Sequence, residues 1–249
     1  MPAIMPKPML LNEDHERRPA PRTIPEQIAD ELGAEIVSGQ RKGGDRLVEL
    51  DLAQSFGVSR GPIREAIRIL ERRRLVDLTP RRGAYIRPVS LRSIADLFNV
   101  RMALSILAVR TMATTPVESY IETLARRCDE MRDMIETGDP RDFARTTTRA
   151  VRTIAHGSGN ELLLELSIDL ASQTVWTIIW KEPLDYQTPE IRRNAANQMS
   201  TILDAIRRRD PETAATTLAV FLEGDRDRAL ASLSSLRGET IAFTDRAPA

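Results

Sequence analysis

The 249-residue chain is poor in several things that define common protein classes, and each shortage excludes something. A single cysteine, Cys128, rules out an intrachain disulfide framework and fits a reducing, cytoplasmic setting. Two histidines, His15 and His156, are too few for a His-rich metal centre, so no metal and no cofactor is expected. Aromatic residues make up 4%, so any core must be aliphatic. Net charge is zero, with 36 basic and 36 acidic side chains, which removes any global attraction to polyanions. No 18-residue apolar run stands out as a membrane span, and the proline-broken MPAIMPKPMLL start lacks the apolar stretch of a signal peptide. Nucleophile–histidine pairings and phosphate-cradling glycine loops are missing too, so no catalytic residues are expected and an enzyme is disfavoured.

What is present is local and sharp. The segment ELDLAQSFGVSRGPIREAIR, residues 49–68, has the form of a helix-turn-helix. Such a motif needs a small residue where the helices touch, a glycine able to turn left-handed, and apolar residues that lock the crossing. Ala53 and Gly57 meet the first two demands, and Leu52, Phe56, Val58, Ile63 and Ala66 meet the third. After Ser59, which has N-cap chemistry, Ile63, Ala66, Ile67 and Leu70 mark the inward face of a second helix. Arg60, Arg64 and Arg68 then point outward. The N-terminal residues of a reading helix reach base edges, so Ser59, Arg60, Gly61 and Arg64 are candidate base readers, with Arg68 nearer phosphate.

Between residues 60 and 87 nine arginines face three acids, Glu65, Glu71 and Asp77. A basic patch on a neutral chain is the footprint of a protein that binds duplex DNA at chosen sites. The apolar runs 76–78 and 84–89 flank Pro80-Arg81-Arg82-Gly83 as a hairpin, a wing whose tip offers Arg82 and Gly83 to DNA.

The organisation expected is a disordered arm over 1–21, a DNA-binding domain over 22–88 and a linker over 89–95. An all-helical domain over 96–236 and a tail over 237–249 complete it. The first helix should span 24–38, with Ile28, Leu32 and Ile36 inward. Six more are expected over 91–112, 117–137, 140–155, 161–181, 188–209 and 211–236, punctuated by Pro116, Gly138-Asp139-Pro140, Gly157–Asn160, Pro183 and Asp210-Pro211. Short loops favour one compact bundle. Its predicted inward stripes are Leu97, Val100, Leu104, Leu107 and Ala108, and Ile202, Leu203, Ile206, Leu218 and Leu222. Trp176 and Trp180, four apart, are expected to pack in a core or interface. The fold class is thus mainly α, a winged helix-turn-helix of three helices and a small hairpin followed by a helical bundle.

VSRGPIREAIRILE followed by RRGAYI resembles the signature of the GntR family of bacterial transcriptional regulators. The helical remainder is similar to the FadR-like branch, with its FCD-type effector-binding domain, through Asp96–Arg101, the Gly157–Asn160 turn and LDAIRRRDPETA. The resemblance implies a homodimer on palindromic operator DNA, commonly a repressor released by a small molecule. It places Arg60 and Arg64 at operator-contacting positions and Arg82-Gly83 at the wing tip. Leu50 stands where some relatives have another DNA-contacting arginine, and Arg74 replaces a usual glycine. The Asp and three His that hold a metal in many FCD domains correspond to Thr147, Val151, Met199 and Phe221. A pocket lined by these residues would suit a more hydrophobic effector than a dicarboxylate, with Arg101 facing its acidic group. The alternative is that they fill the pocket and the bundle serves only to dimerise an architectural DNA binder.

Overall fold

The computed structural model describes residues 23–172 and 186–239. Helix α1 (Ile24–Val37) begins with a capping box: the Thr23 hydroxyl accepts from the Glu26 backbone, and the Glu26 carboxylate accepts from that of Thr23. Strand β1 (Arg46–Leu47), α2 (Glu49–Ser55), α3 (Arg60–Arg72), β2 (Val76–Thr79) and β3 (Gly83–Ile86) follow. The small sheet has three antiparallel strands in the order β1-β3-β2, with Leu47 opposite Ala84 and Leu78 also opposite Ala84. A hairpin alone was expected, because two residues of β1 are too few to show any alternation.

Helices α4 (Leu91–Thr114), α5 (Glu118–Asp133), α6 (Pro140–Gly157), α7 (Glu161–Ser172), α8 (Pro189–Arg207) and α9 (Pro211–Arg237) form the bundle. Three of them start in the same way. Asp139, Thr188 and Asp210 cap α6, α8 and α9 with a side-chain oxygen, and a proline in the next position supplies a preset φ where its missing N–H costs nothing. Helix α5 stops at Asp133 rather than near 137; Met134 closes it, and its carbonyl accepts from Gly138 in the turn that follows. The expected helix over 161–181 is seen to Ser172, while Trp176, Trp180 and Pro183 lie outside the described residues.

Two apolar clusters hold the molecule together. One fills the bundle, with Ile202, Leu203, Ile206, Leu218 and Leu222 buried as their spacing predicted. The other joins Ile28, Leu32 and Ile36 of α1, Ile63, Ala66, Ile67 and Leu70 of α3, and Ala84 and Ile86 of the wing. It does not end there. Leu91, Ile94 and Phe98 from the first turns of α4, and Ala229, Leu230 and Leu233 from the last turns of α9, belong to the same cluster. Arg237, with a side chain only 4% exposed, finishes this junction by donating to the carbonyls of Val37 and Val89.

The inward face of α4 differs from the one its spacing suggested. Val100 and Leu107 are 51% and 50% exposed, Leu97 and Leu104 are part-buried, and only Ala108 of that stripe is fully covered. Ile94, Phe98, Ala108, Val109 and Met112 make the buried face instead. Both faces of the helix are apolar, so periodicity could not decide between them. The same property makes α4 long and apolar enough to cross a membrane by length and composition, with an 18-residue window of mean hydropathy 1.2, against the expectation of no such run. Only 33% of that window is buried.

Candidate nucleic-acid interface

The reading helix is set by its own ends. Helix α2 closes in a Schellman-type turn: Val58 N donates to Ala53 O, Gly57 N donates to Gln54 O, and Gly57 sits at φ +63. A side chain there would be strained, so glycine fixes the angle between α2 and α3. Leu52 and Ala53 press on α3, whose Ile63, Ala66, Ile67 and Leu70 are buried. Ser59 occupies the N-cap position, yet its side chain makes no capping hydrogen bond, which leaves that hydroxyl for another acceptor. No acidic residue lies in the first turn of α3, so the partial positive charge of the helix start is not offset from within.

With the inner face fixed, Ser59, Arg60, Gly61, Arg64 and Arg68 all emerge on the exposed side. Arg60 and Arg68 have no ion pair among the described residues. Arg64 does: its Nε donates to Glu49 Oε2 at 2.8 Å, although the two side chains remain 61% and 37% exposed. Sequence reading missed Glu49, which lies fifteen positions back at the start of α2, and only the tight turn brings it near. Leu50 beside it is 46% exposed and carries no charge.

The wing places its arginines in the same manner. Residues 80–82 cross from β2 to β3, Arg81 takes the left-handed φ of 63°, and Arg82 N donates to Thr79 O. Arg81 and Arg82 are exposed. Gly83 lies at φ +106, and a Cβ there would stand 3.1 Å from Arg46 Nε, so the Arg46 side chain runs close over the wing backbone. At the far end of α3, Arg74 adopts φ 59, with Leu75 N donating to Leu70 O. This is a left-handed C-cap occupied by an arginine where a glycine would be strain-free. Arg73 turns inward and meets the buried Asp30 of α1 at 2.9 Å, pinning the reading helix to its brace.

The bundle positions have a different character. Thr147, Val151, Met199 and Phe221 are 4%, 7%, 0% and 1% exposed, and the Thr147 hydroxyl donates to Phe143 O. Side chains lining a chamber large enough for a ligand would show surface to a water-sized sphere even if the chamber were closed. These four side chains are therefore buried among the described residues in this conformation. None of them is a carboxylate or imidazole. His156, at the end of α6, stacks on Tyr120 at 6.4 Å, and burial together with Arg152 lowers its pKa.

Charge collects elsewhere in the bundle. Asp225 of α9 is buried, accepts from the Tyr186 hydroxyl at 2.9 Å, and pairs with Arg228 one turn on. Burial raises the Asp225 pKa, against the pull of Arg228, Tyr186 and Arg101. Burial lowers the pKa of Arg101, against Asp225 and Tyr186, so Arg101 belongs to this group. Arg228 Nε is a buried donor without an acceptor. Sequence reading had named Arg101 alone, since no spacing rule links it to Tyr186 or to the last helix.

Residues 24–86 match the family described as bacterial regulatory proteins, gntR family, and residues 96–224, more than half of the chain, match the FCD domain. The chain belongs to the GntR family. It is a DNA-binding transcriptional regulator and not an enzyme. Among curated relatives, this GntR member is 27% identical over 195 residues to a probable D-xylose utilization operon transcriptional repressor of Paenarthrobacter nicotinovorans, covering 77% of this chain and 82% of the relative. It is 30% identical over 118 residues to the gluconate operon transcriptional repressor of Bacillus subtilis, covering 47% and 48%. It is also 34% identical over 112 residues to the B. subtilis HTH-type regulator YdhC, covering 45% and 50%. The chain thus spans about half the length of several curated relatives. Among solved structures, the Listeria monocytogenes regulator Lar shares the fold with a TM-score of 0.68 at 21% identity, covering 84% of this chain and 98% of that one.

Proposed function

We propose that this GntR regulator is a cytoplasmic, homodimeric repressor that reads a palindromic operator with Ser59, Arg60, Gly61 and Arg64 in the major groove and Arg68 nearer the phosphates. Arg82 and Gly83 of the wing lie against the adjacent minor groove. The observation that carries this reading is the row of exposed guanidiniums on α3, held outward by a fully buried opposite face. Each arginine forked onto a guanine contributes about 1–3 kcal/mol of discrimination. The relatives named as repressors support the sign of regulation.

A second copy has a natural seat. Val100, Ala103 and Leu107 recur at i, i+3 and i+7 on the exposed face of α4. Arg110 pairs with Glu212, and Arg226 donates to Asn99 at 2.9 Å, so α4 and α9 run antiparallel, with Val220, 52% exposed, level with that stripe. An apolar seam on two adjacent helices suits the self-complementary contact of a two-fold dimer.

For control by ligand, the Arg101–Asp225–Tyr186–Arg228 group carries the reading. The buried Arg228 Nε, without an acceptor beside Asp225 and Tyr186, supplies a directed donor for an effector's acidic group. An effector that also reached Thr147, Val151, Met199 and Phe221 would have to displace packed side chains, and that displacement would be the signal passed to α4 and α9. The tight packing of those four residues favours a second reading, in which the bundle only dimerises. Two measurements decide. Selection of duplexes from a random pool by the full chain should return a palindrome, and a pool left unenriched refutes site-specific reading. A panel of small carboxylic acids, the more apolar ones included, should contain a compound that raises the melting temperature, by about 2.7 kcal/mol of added stability at a hundred times its Kd. A panel without any response leaves the dimerising bundle.

A further inference from the structure

We propose that Glu49 is a specificity-determining positioning residue, which grips the Nε of Arg64 and leaves its two terminal amino groups to fork end-on onto one guanine. The inference rests on the DNA-reading role proposed for α3. An arginine can meet the O6 and N7 of guanine in two ways, with both terminal nitrogens or with Nε and one of them. The hydrogen bond from Arg64 Nε to Glu49 Oε2 occupies the donor that the second way requires. It also ties the guanidinium to the start of α2, a separate helix, so the plane of the fork is set by the helix crossing and not by the arginine's own rotamers.

The pair has little other purpose. Arg64 lies largely in water and Glu49 is half-buried, and an ion pair this exposed adds little to the stability of a fold. A carboxylate on the surface that meets DNA also weakens general attraction to phosphate. What the pair supplies in return is orientation. Arg60 and Arg68, which have no ion pair among the described residues, keep their own rotamer freedom, whereas Arg64 is held to one aim.

The test is base preference, measured by selection from a random duplex pool with the full chain, its Glu49→Gln and Glu49→Ala variants, and Arg64→Ala. Wild type should show one guanine in each half-site that Arg64→Ala erases. Both Glu49 variants should lower the preference for that same guanine about tenfold, keep the preferences at all other positions, hold or slightly raise affinity for scrambled duplex, and melt at the wild-type temperature. Adding Glu49→Ala to Arg64→Ala should change nothing further. Preferences in the Glu49 variants identical to wild type, or an equal loss at every position, overturn the role of Glu49 while leaving the regulator reading intact. A wild-type chain with no base preference removes the regulator reading and this one with it.

Discussion

Leu233→Ala lies in the last helix, beyond the residues that match the FCD domain, yet it should loosen the DNA-binding end of the molecule. Leu233 is 1% exposed and belongs to the cluster that includes Ile28 and Leu32 of α1 and Leu70 of α3. Truncating a buried leucine removes its transfer free energy and leaves a cavity, about 3 kcal/mol in a core that cannot collapse. The loss will not be absorbed by solvent, because α9 packs along α4, Leu233 lies within a shared cluster, and Arg237 clamps α9 to the carbonyls of Val37 and Val89 just beyond it. For a chain of this size about 3 kcal/mol lowers the melting temperature by roughly 6–12 °C. Hydrogen exchange followed by mass spectrometry on wild type and variant is the informative assay. Amides of α1 and α3 should lose protection along with those of α9. A variant in which only α9 loosens would refute the shared core, and so would a melting temperature lowered by less than about 2 °C.

Two further predictions concern single residues. Arg74→Gly relieves the left-handed backbone at the end of α3 and should stabilise the protein by about 0.5–1 kcal/mol; a lower melting temperature would show that the Arg74 side chain contributes more than its backbone costs. Cys128 is buried in the bundle, and its pKa is pushed up to about 12, chiefly by burial. It should stay unmodified by iodoacetamide at pH 8 until urea unfolds the chain, and rapid labelling of the native protein would contradict that placement.

How far the sequence could be read depended on whether each signal was local. The α2–α3 crossing was legible because Ala53, Gly57 and the Ile63–Leu70 stripe are all within a few turns of one another. The bundle's starts were legible because a capping residue next to a proline is a strong stop and start. Helix α4 was not, since a helix apolar on two sides gives the same period for either face; its true inner face depends on which neighbours reach it. Glu49 meets Arg64 across fifteen residues and Tyr186 meets Asp225 across thirty-nine, so neither pairing has a signature in spacing. The shared core escaped for a related reason. Leu230 and Leu233 look like the rest of their helix, and only the return of α9 to the foot of α1 makes them part of the DNA-binding end.

The measurement closest to the central claim is the ratio of affinities of the full chain for its selected duplex and for a scrambled one at about 0.15 M salt. The arrangement of α3 and the wing predicts a ratio of about a thousand or more, lowered about 5- to 150-fold by Arg64→Ala with no change in melting temperature. A ratio near one in the wild type, or one that Arg64→Ala leaves intact, would contradict it.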